Sequence, residues 1–197
     1  MGRTSPNSGD DEVGAWVARA PAVPSEWFVR ESSLHGVTHT QRVHIHAQRL
    51  ADELGWTQAD TGLLLAAALW HDIGRTNDDV DPGHGALSAA RAADLRLPRD
   101  LAPDDAAAVL FAIRFHSLSD ASARDQAARW RDAGAPGGAR RLAEPERALS
   151  ILWLLKDADA LDRVRLAPWE AADPRQLRHD ETRRLMDFAA RLYARLD

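Results

Sequence analysis

Apolar residues recur along this chain at spacings of three and four, the period of a helix with one buried face, and sustained alternation is essentially absent. His39, Val43, His46 and Leu50 share one such face. Thr38 and Gln41 have the spacing of a capping box at its start, and Gly55 stands where a helix would stop. A helix over 38–54 is therefore expected. Thr57 is the next N-cap, and the run LLLAAALW at 63–70 carries its helix to His71, because Leu and Ala favour helix and burial together. Pro103, Asp104 and Asp105 open a helix that reaches His116. Further helices are expected over 119–131, over 144–165 with an apolar run from Leu149 to Leu155, and over 180–196. Shorter ones fit 12–19, ended by Pro21 and Pro24, then 25–31 with Trp27 and Phe28 turned inward, and 86–95.

The intervening stretches are turn chemistry. NDDVDPGHG at 77–85 is a loop rich in Asp, Pro and Gly, and AGAPGGAR at 133–140 is a connection with no periodicity. Residues 1–10 are expected as a disordered lead-in and 11–197 as one domain. The fold class is all-α, a compact orthogonal bundle of about six to eight helices.

Composition narrows the function classes. A chain of 197 residues that is 45% apolar can bury a substantial core. It has no cysteine, which excludes disulfides, thiolate metal ligands and a cysteine nucleophile. The polar, acidic start is neither a signal peptide nor a membrane anchor, and no apolar run approaches a transmembrane span. A formal charge of −5 argues against nucleic acid as the partner, so a cytoplasmic protein acting on a small molecule is expected. Of the 25 basic residues only Lys156 is lysine, so single arginines carry little information.

Candidate chemistry sits where the apolar runs end. The 63–70 run closes on the adjacent pair His71-Asp72, then Gly74. A histidine at a helix C-terminus and a stopping glycine are ordinary, but packing does not ask for a His and an Asp side by side. His39 lies on the inner face of the 38–54 helix, His84 in the Gly-flanked loop, and His116 at the end of the 103–116 helix. In DADALD at 157–162, acids interrupt an apolar stripe. A carboxylate in a core seam is costly unless it is paired or bound to a cation. Asp159 therefore implies a partner, which histidines and a metal would supply.

The ordered series HTQRV, HDIG, HG-x-x-S, I-x-x-H and DADALD resembles the HD-domain superfamily of metal-dependent phosphohydrolases over about residues 33–166. The resemblance implies His39, His71, Asp72 and Asp159 as ligands of a first metal. His84 and His116 match histidines that hold a second metal in some members and serve as substrate-contacting or acid–base residues in others. Imidazole with carboxylate suits Mn, Fe, Co, Ni or Zn, with Mg also admitted, as one or two ions. Arg42, Arg75 and Lys156 are candidates for phosphate oxygens, with Arg163 weaker. Asp157 and Asp162 read as structural, and His35, His44, His46 and His179 as surface or supporting residues.

The expected activity is hydrolysis of a phosphate ester or anhydride of a small molecule, foremost a nucleotide. A mixed-valent di-iron oxygenase has a similar ligand set, His, His-Asp, His, His, Asp, and is the alternative; a non-catalytic regulatory module is a second one. Seven tryptophans on such a bundle leave a homodimer open. Arg75 stands where many members carry lysine, and the acids Asp78, Asp79 and Asp81 follow the HDIG motif.

Overall fold

The computed structural model describes residues 8–133, 141–166 and 171–196. Among them are nine α-helices and no strand, as the period of the sequence requires. They are α1 (Ser8–Arg19), α2 (Val37–Glu53), α3 (Gln58–Trp70), α4 (His84–Asp94), α5 (Pro103–Phe115), α6 (Asp120–Ala133), α7 (Pro145–Leu161), α8 (Asp180–Arg184) and α9 (Met186–Leu196).

The most apolar runs make the centre. Leu64 and Ala67 of α3, Phe111 and Ile113 of α5, and Ile151, Leu152, Leu154 and Leu155 of α7 are fully enclosed. Each large side chain buried this way contributes about 1.5–3 kcal/mol. α2 lies along α3 and α7 and adds Val43, Ala47 and Leu50 from its inner face. A second, smaller cluster of Val13, Ile45, Phe188 and Leu192 forms where α1 and α9 cover the other side of α2.

Several boundaries differ from the expectation for local reasons. α2 opens at Val37 with Gly36 as its cap, so Thr38 and Gln41 form no capping box. The backbone passes so close at Gly36 that a Cβ would stand 2.1 Å from the Ser32 carbonyl oxygen. The far end is as expected: Gly55, at φ +65°, follows the last turn in the left-handed conformation. Thr57 caps α3 by accepting from the Asp60 N–H. Only Ser25–Trp27 winds in the 25–31 stretch, as one 3-10 turn, because the chain then extends to bond Val29 N–H to the Ile73 carbonyl at 3.0 Å. Trp27 and Phe28 do pack on the core. α4 starts two residues early, at His84, and the long helix stops at Leu161, followed by a 3-10 turn over Asp162–Arg165. The last helix divides because Leu185 tightens onto the Thr182 carbonyl, leaving α8 and α9 as separate helices. α1 begins inside the expected lead-in, at Ser8; residues 1–7 and 134–140 lie outside the described residues.

Two glycines let helices touch backbone to backbone. A Cβ on Gly74 would stand 2.4 Å from the Leu87 carbonyl carbon and from the Ser88 nitrogen, so the turn after α3 seats directly on α4. One on Gly85 would stand 2.7 Å from the Ile113 carbonyl oxygen, so the start of α4 seats on the end of α5. These contacts fix where α3, α4 and α5 present their ends.

Candidate metal centre

Helix ends converge on one point. His39 lies in the first turn of α2, His71 caps the C-terminus of α3 with Asp72 next, His84 starts α4, His116 caps α5, and Asp159 is in the last turn of α7. The two cap histidines fold back on carbonyls that the helix leaves without partners: His71 Nδ1 lies 2.8 Å from the Ala68 oxygen and His116 Nδ1 2.7 Å from the Ile113 oxygen. His39 Nδ1 lies 2.7 Å from Asp162 Oδ2. An oxygen acceptor at Nδ1 fixes the proton there, so each of these rings turns an Nε2 lone pair inward.

Those inward nitrogens crowd one another. His39 Nε2 is 3.2 Å from His71 Nε2, and His84 Nε2 is 2.8 Å from His116 Nε2. His84 has two claims on Nδ1, the Asp81 carbonyl at 2.5 Å and Arg75 Nη1 at 2.6 Å, which ask for opposite tautomers. With the proton on Nδ1 it donates to Asp81 and presents Nε2 like the others.

Asp72 stands between the two pairs. Its Oδ2 is 3.1 Å from His35 Nδ1, 3.5 Å from His39 Nε2 and 3.7 Å from His71 Nε2. Its Oδ1 is 3.3 Å from His84 Nε2 and 3.6 Å from His116 Nε2, and accepts no hydrogen bond although it is buried. Asp159 Oδ1 lies 3.5 Å from His39 Nε2 and 4.0 Å from His71 Nε2.

The electrostatics favour the ligand forms of Asp72, Asp159, His71 and His84, and the protonated form of His39. Burial alone would raise the Asp72 carboxyl, but the surrounding imidazoles, His71 first, outweigh it and hold it well below the usual range. Asp159 is lowered against burial by His39 and His71. Burial pushes His71 and His84 down to about 4. His39 is shifted the other way: burial and Arg165 disfavour its charge, and the bonds to Asp162 and Asp72 prevail. Converging imidazole lone pairs, an orphan carboxylate oxygen and an N/O donor set fit transition-metal divalent ions. His39, His71, Asp72 Oδ2 and Asp159 would hold one, and His84, His116 and Asp72 Oδ1 a second.

The cation candidates fare less uniformly. Arg42 is enclosed, only 1% exposed, and its Nε and Nη2 fork onto Asp162 at 2.6 and 3.1 Å, so it does not face a substrate. Arg75 is buried as well and is bonded to the Asp79 carbonyl and His84. Lys156 reaches the Leu118 carbonyl and Asp120, yet with Arg163 it borders a cavity of about 640 Å³ that His116 and Asp159 also line. Ser117, Ser119, Asp173, Gln176 and Arg178 complete its polar wall.

Two residues read from the sequence as supporting or structural also reach the centre. His35, in the turn before α2, reaches Asp72 Oδ2 at 3.1 Å. Asp162, three positions after Asp159, is fully buried and holds both His39 and Arg42. Asp157 does have the structural role expected of it, receiving Arg178, His179 and Thr182. His46 shares the buried face of His39 but packs edge-on against Phe188, with ring centroids 6.0 Å apart.

Compared with protein-family models, residues 36–164 match the HD domain. No curated protein and no solved structure matches the chain.

Proposed function

The chain belongs to the HD-domain superfamily of metal-dependent phosphohydrolases, and from that membership we propose that it hydrolyses a phosphate ester or anhydride of a small molecule at the centre formed by His39, His71, Asp72 and Asp159. One observation carries the reading: the Nε2 atoms of four imidazoles gathered around both oxygens of one buried carboxylate, a donor set that a divalent cation would satisfy. A divalent ion held there supplies a Lewis acid for a phosphoryl oxygen and lowers the pKa of water at neutral pH.

The remaining work falls to side chains. The cavity beside His116 and Asp159 has the size of a small-molecule site and admits the substrate. Lys156 and Arg163 on its wall carry positive charge toward an anionic phosphoryl group. The net charge of −5 favours a small anion over a polyanionic strand, and a nucleotide is the first substrate to try. Among the described residues no helix is long and apolar enough to cross a membrane.

A second reading has its own support. Asp72 offers one oxygen to each histidine pair, the donor layout of a two-ion cradle, which suits di-iron oxygen chemistry as well as phosphoryl transfer. The deciding experiment is phosphate release from nucleotides and sugar phosphates with Mn²⁺, Mg²⁺, Co²⁺ or Ni²⁺, with Asp72→Ala as control. Release that needs the ion and disappears in the variant supports the hydrolase. No release, together with bound iron and oxygen uptake, transfers the assignment to the oxygenase.

A further inference from the structure

We propose that the C-terminal helix α9 sets the geometry of the metal centre through Tyr193, a positioning residue that acts on His39 by way of Arg42 and Asp162. The proposal rests on His39 being a metal ligand.

α9 lies beyond residues 36–164, the part of the chain that matches the HD domain, yet it packs on α2 and on the turn Asp162–Arg165. There the Tyr193 ring faces the Arg42 guanidinium, with Cζ 5.1 Å from the ring centroid. Arg42 donates through one edge only, Nε to Asp162 Oδ1 and Nη2 to Oδ2, while Nη1 is buried without a hydrogen-bond partner. A fork along one edge leaves the plane of a guanidinium free to tilt. An aromatic ring lying over the guanidinium restricts that tilt.

The plane of Arg42 in turn sets the plane of the Asp162 carboxylate. The same Oδ2 that takes Nη2 also accepts Nδ1–H of His39 at 2.7 Å. Rotation of the imidazole about its Cβ–Cγ bond is thereby tied to a ring on another helix. Arg165 donates to the Asp162 carbonyl at 3.0 Å and stands 3.5 Å from its Oδ2, too far to replace the shorter two-point fork of Arg42. α9 has its own anchor: Phe188 and Leu192 are buried with Val13 and Ile45, and Arg49 lies over Phe188 at 4.2 Å. That anchor does not involve the metal ligands, so α9 holds Tyr193 in place from outside the centre.

The test uses the full chain and Co²⁺ as the probe, reading affinity by chelator competition and ligand geometry from the visible absorption of the bound ion. Tyr193→Leu keeps packing volume but loses the aromatic face; it should weaken Co²⁺ about tenfold and shift the absorption, at the lower end of what a partner of a metal ligand contributes. Tyr193→Phe keeps the face and should match the parent. Arg42→Lys keeps charge but loses the fork and should reproduce the Tyr193→Leu loss. Leu149→Ala opens a cavity in the main core, outside the α9 anchor, and should lower the unfolding midpoint while leaving affinity and spectrum unchanged. An unaltered Tyr193→Leu, or a Leu149→Ala that loses as much affinity, overturns the positioning role. A parent chain that binds no Co²⁺ overturns the metal centre itself and the proposal with it.

Discussion

His39 and Asp162, 123 positions apart in the chain, meet at 2.7 Å across the buried junction of α2 and the end of α7. The carboxylate accepts a hydrogen bond from the ring's Nδ1–H and so turns its Nε2 to the centre. Asp162→Asn keeps the shape but loses the charge that holds His39 and Arg42. Metal affinity should fall about 10–100-fold, as it does when the partner of a ligating histidine is removed. The uncompensated Arg42 should also cost about 3–5 kcal/mol of stability. Calorimetric titration with Zn²⁺ and urea unfolding read the two losses separately.

The direct ligands should respond more strongly and differently from each other. Asp72 serves both histidine pairs, so Asp72→Ala should strip all bound metal. Of the two histidine pairs Asp159 approaches His39 and His71, so Asp159→Ala should remove one ion and spare the other. Both losses should exceed the roughly 100-fold upper range for a residue outside the ligand set. Helical circular dichroism should survive in each. Metal analysis of the purified variants decides it, and unchanged content in both contradicts the ligand assignment.

Gly85 offers a way to separate the two halves. An alanine there would press on the Ile113 and Arg114 carbonyls and lift the start of α4 from α5, carrying His84 away from His116. Gly85→Ala should cost about 1–3 kcal/mol, as overpacking does. It should weaken the ion between His84 and His116 while leaving the one at His39. Stoichiometry per chain, measured with and without the substitution, reports this.

His46 predicts a pH effect outside the centre. It is fully buried, neither ring nitrogen has a hydrogen-bond partner, and burial pushes it down to about 4. The unfolded ring titrates near 6.5, so between pH 6.5 and 4 the unfolded chain takes up a proton that the folded chain refuses. Stability is therefore full above pH 6.5 and lost as pH falls through that window. His46→Leu removes this proton, and the stability difference between pH 7 and pH 5 should shrink by about 2 kcal/mol. Urea unfolding of chelator-treated protein at the two pH values measures it; an unchanged difference refutes it.

Helix periodicity and the His-Asp pair made the bundle and the ligand candidates legible in the sequence, because both depend on residues within a turn or two of one another. Arg42 was not legible in the same way. One turn after His39, it could face a phosphate or an acid, and the choice depends on Asp162, 120 positions away. His35 lies before the helix, and its approach to Asp72 depends on the path of the 28–36 segment over the turn after α3. The failed capping box at Thr38 has the same origin: the tight passage of Ser32 beside Gly36 chooses the cap, and no propensity at Thr38 reports it.

The reach from His39 to Asp162 bears on how such a protein comes into being. A nascent chain still on the ribosome carries His39, His71 and Asp72 long before Asp159 and Asp162 have been made. Until then His39 has no oxygen at Nδ1, its tautomer is unset, and the first ion lacks its last carboxylate. Under the proposed ligand set, capture of the first ion would therefore be a late event, open to chains whose α7 is already in place.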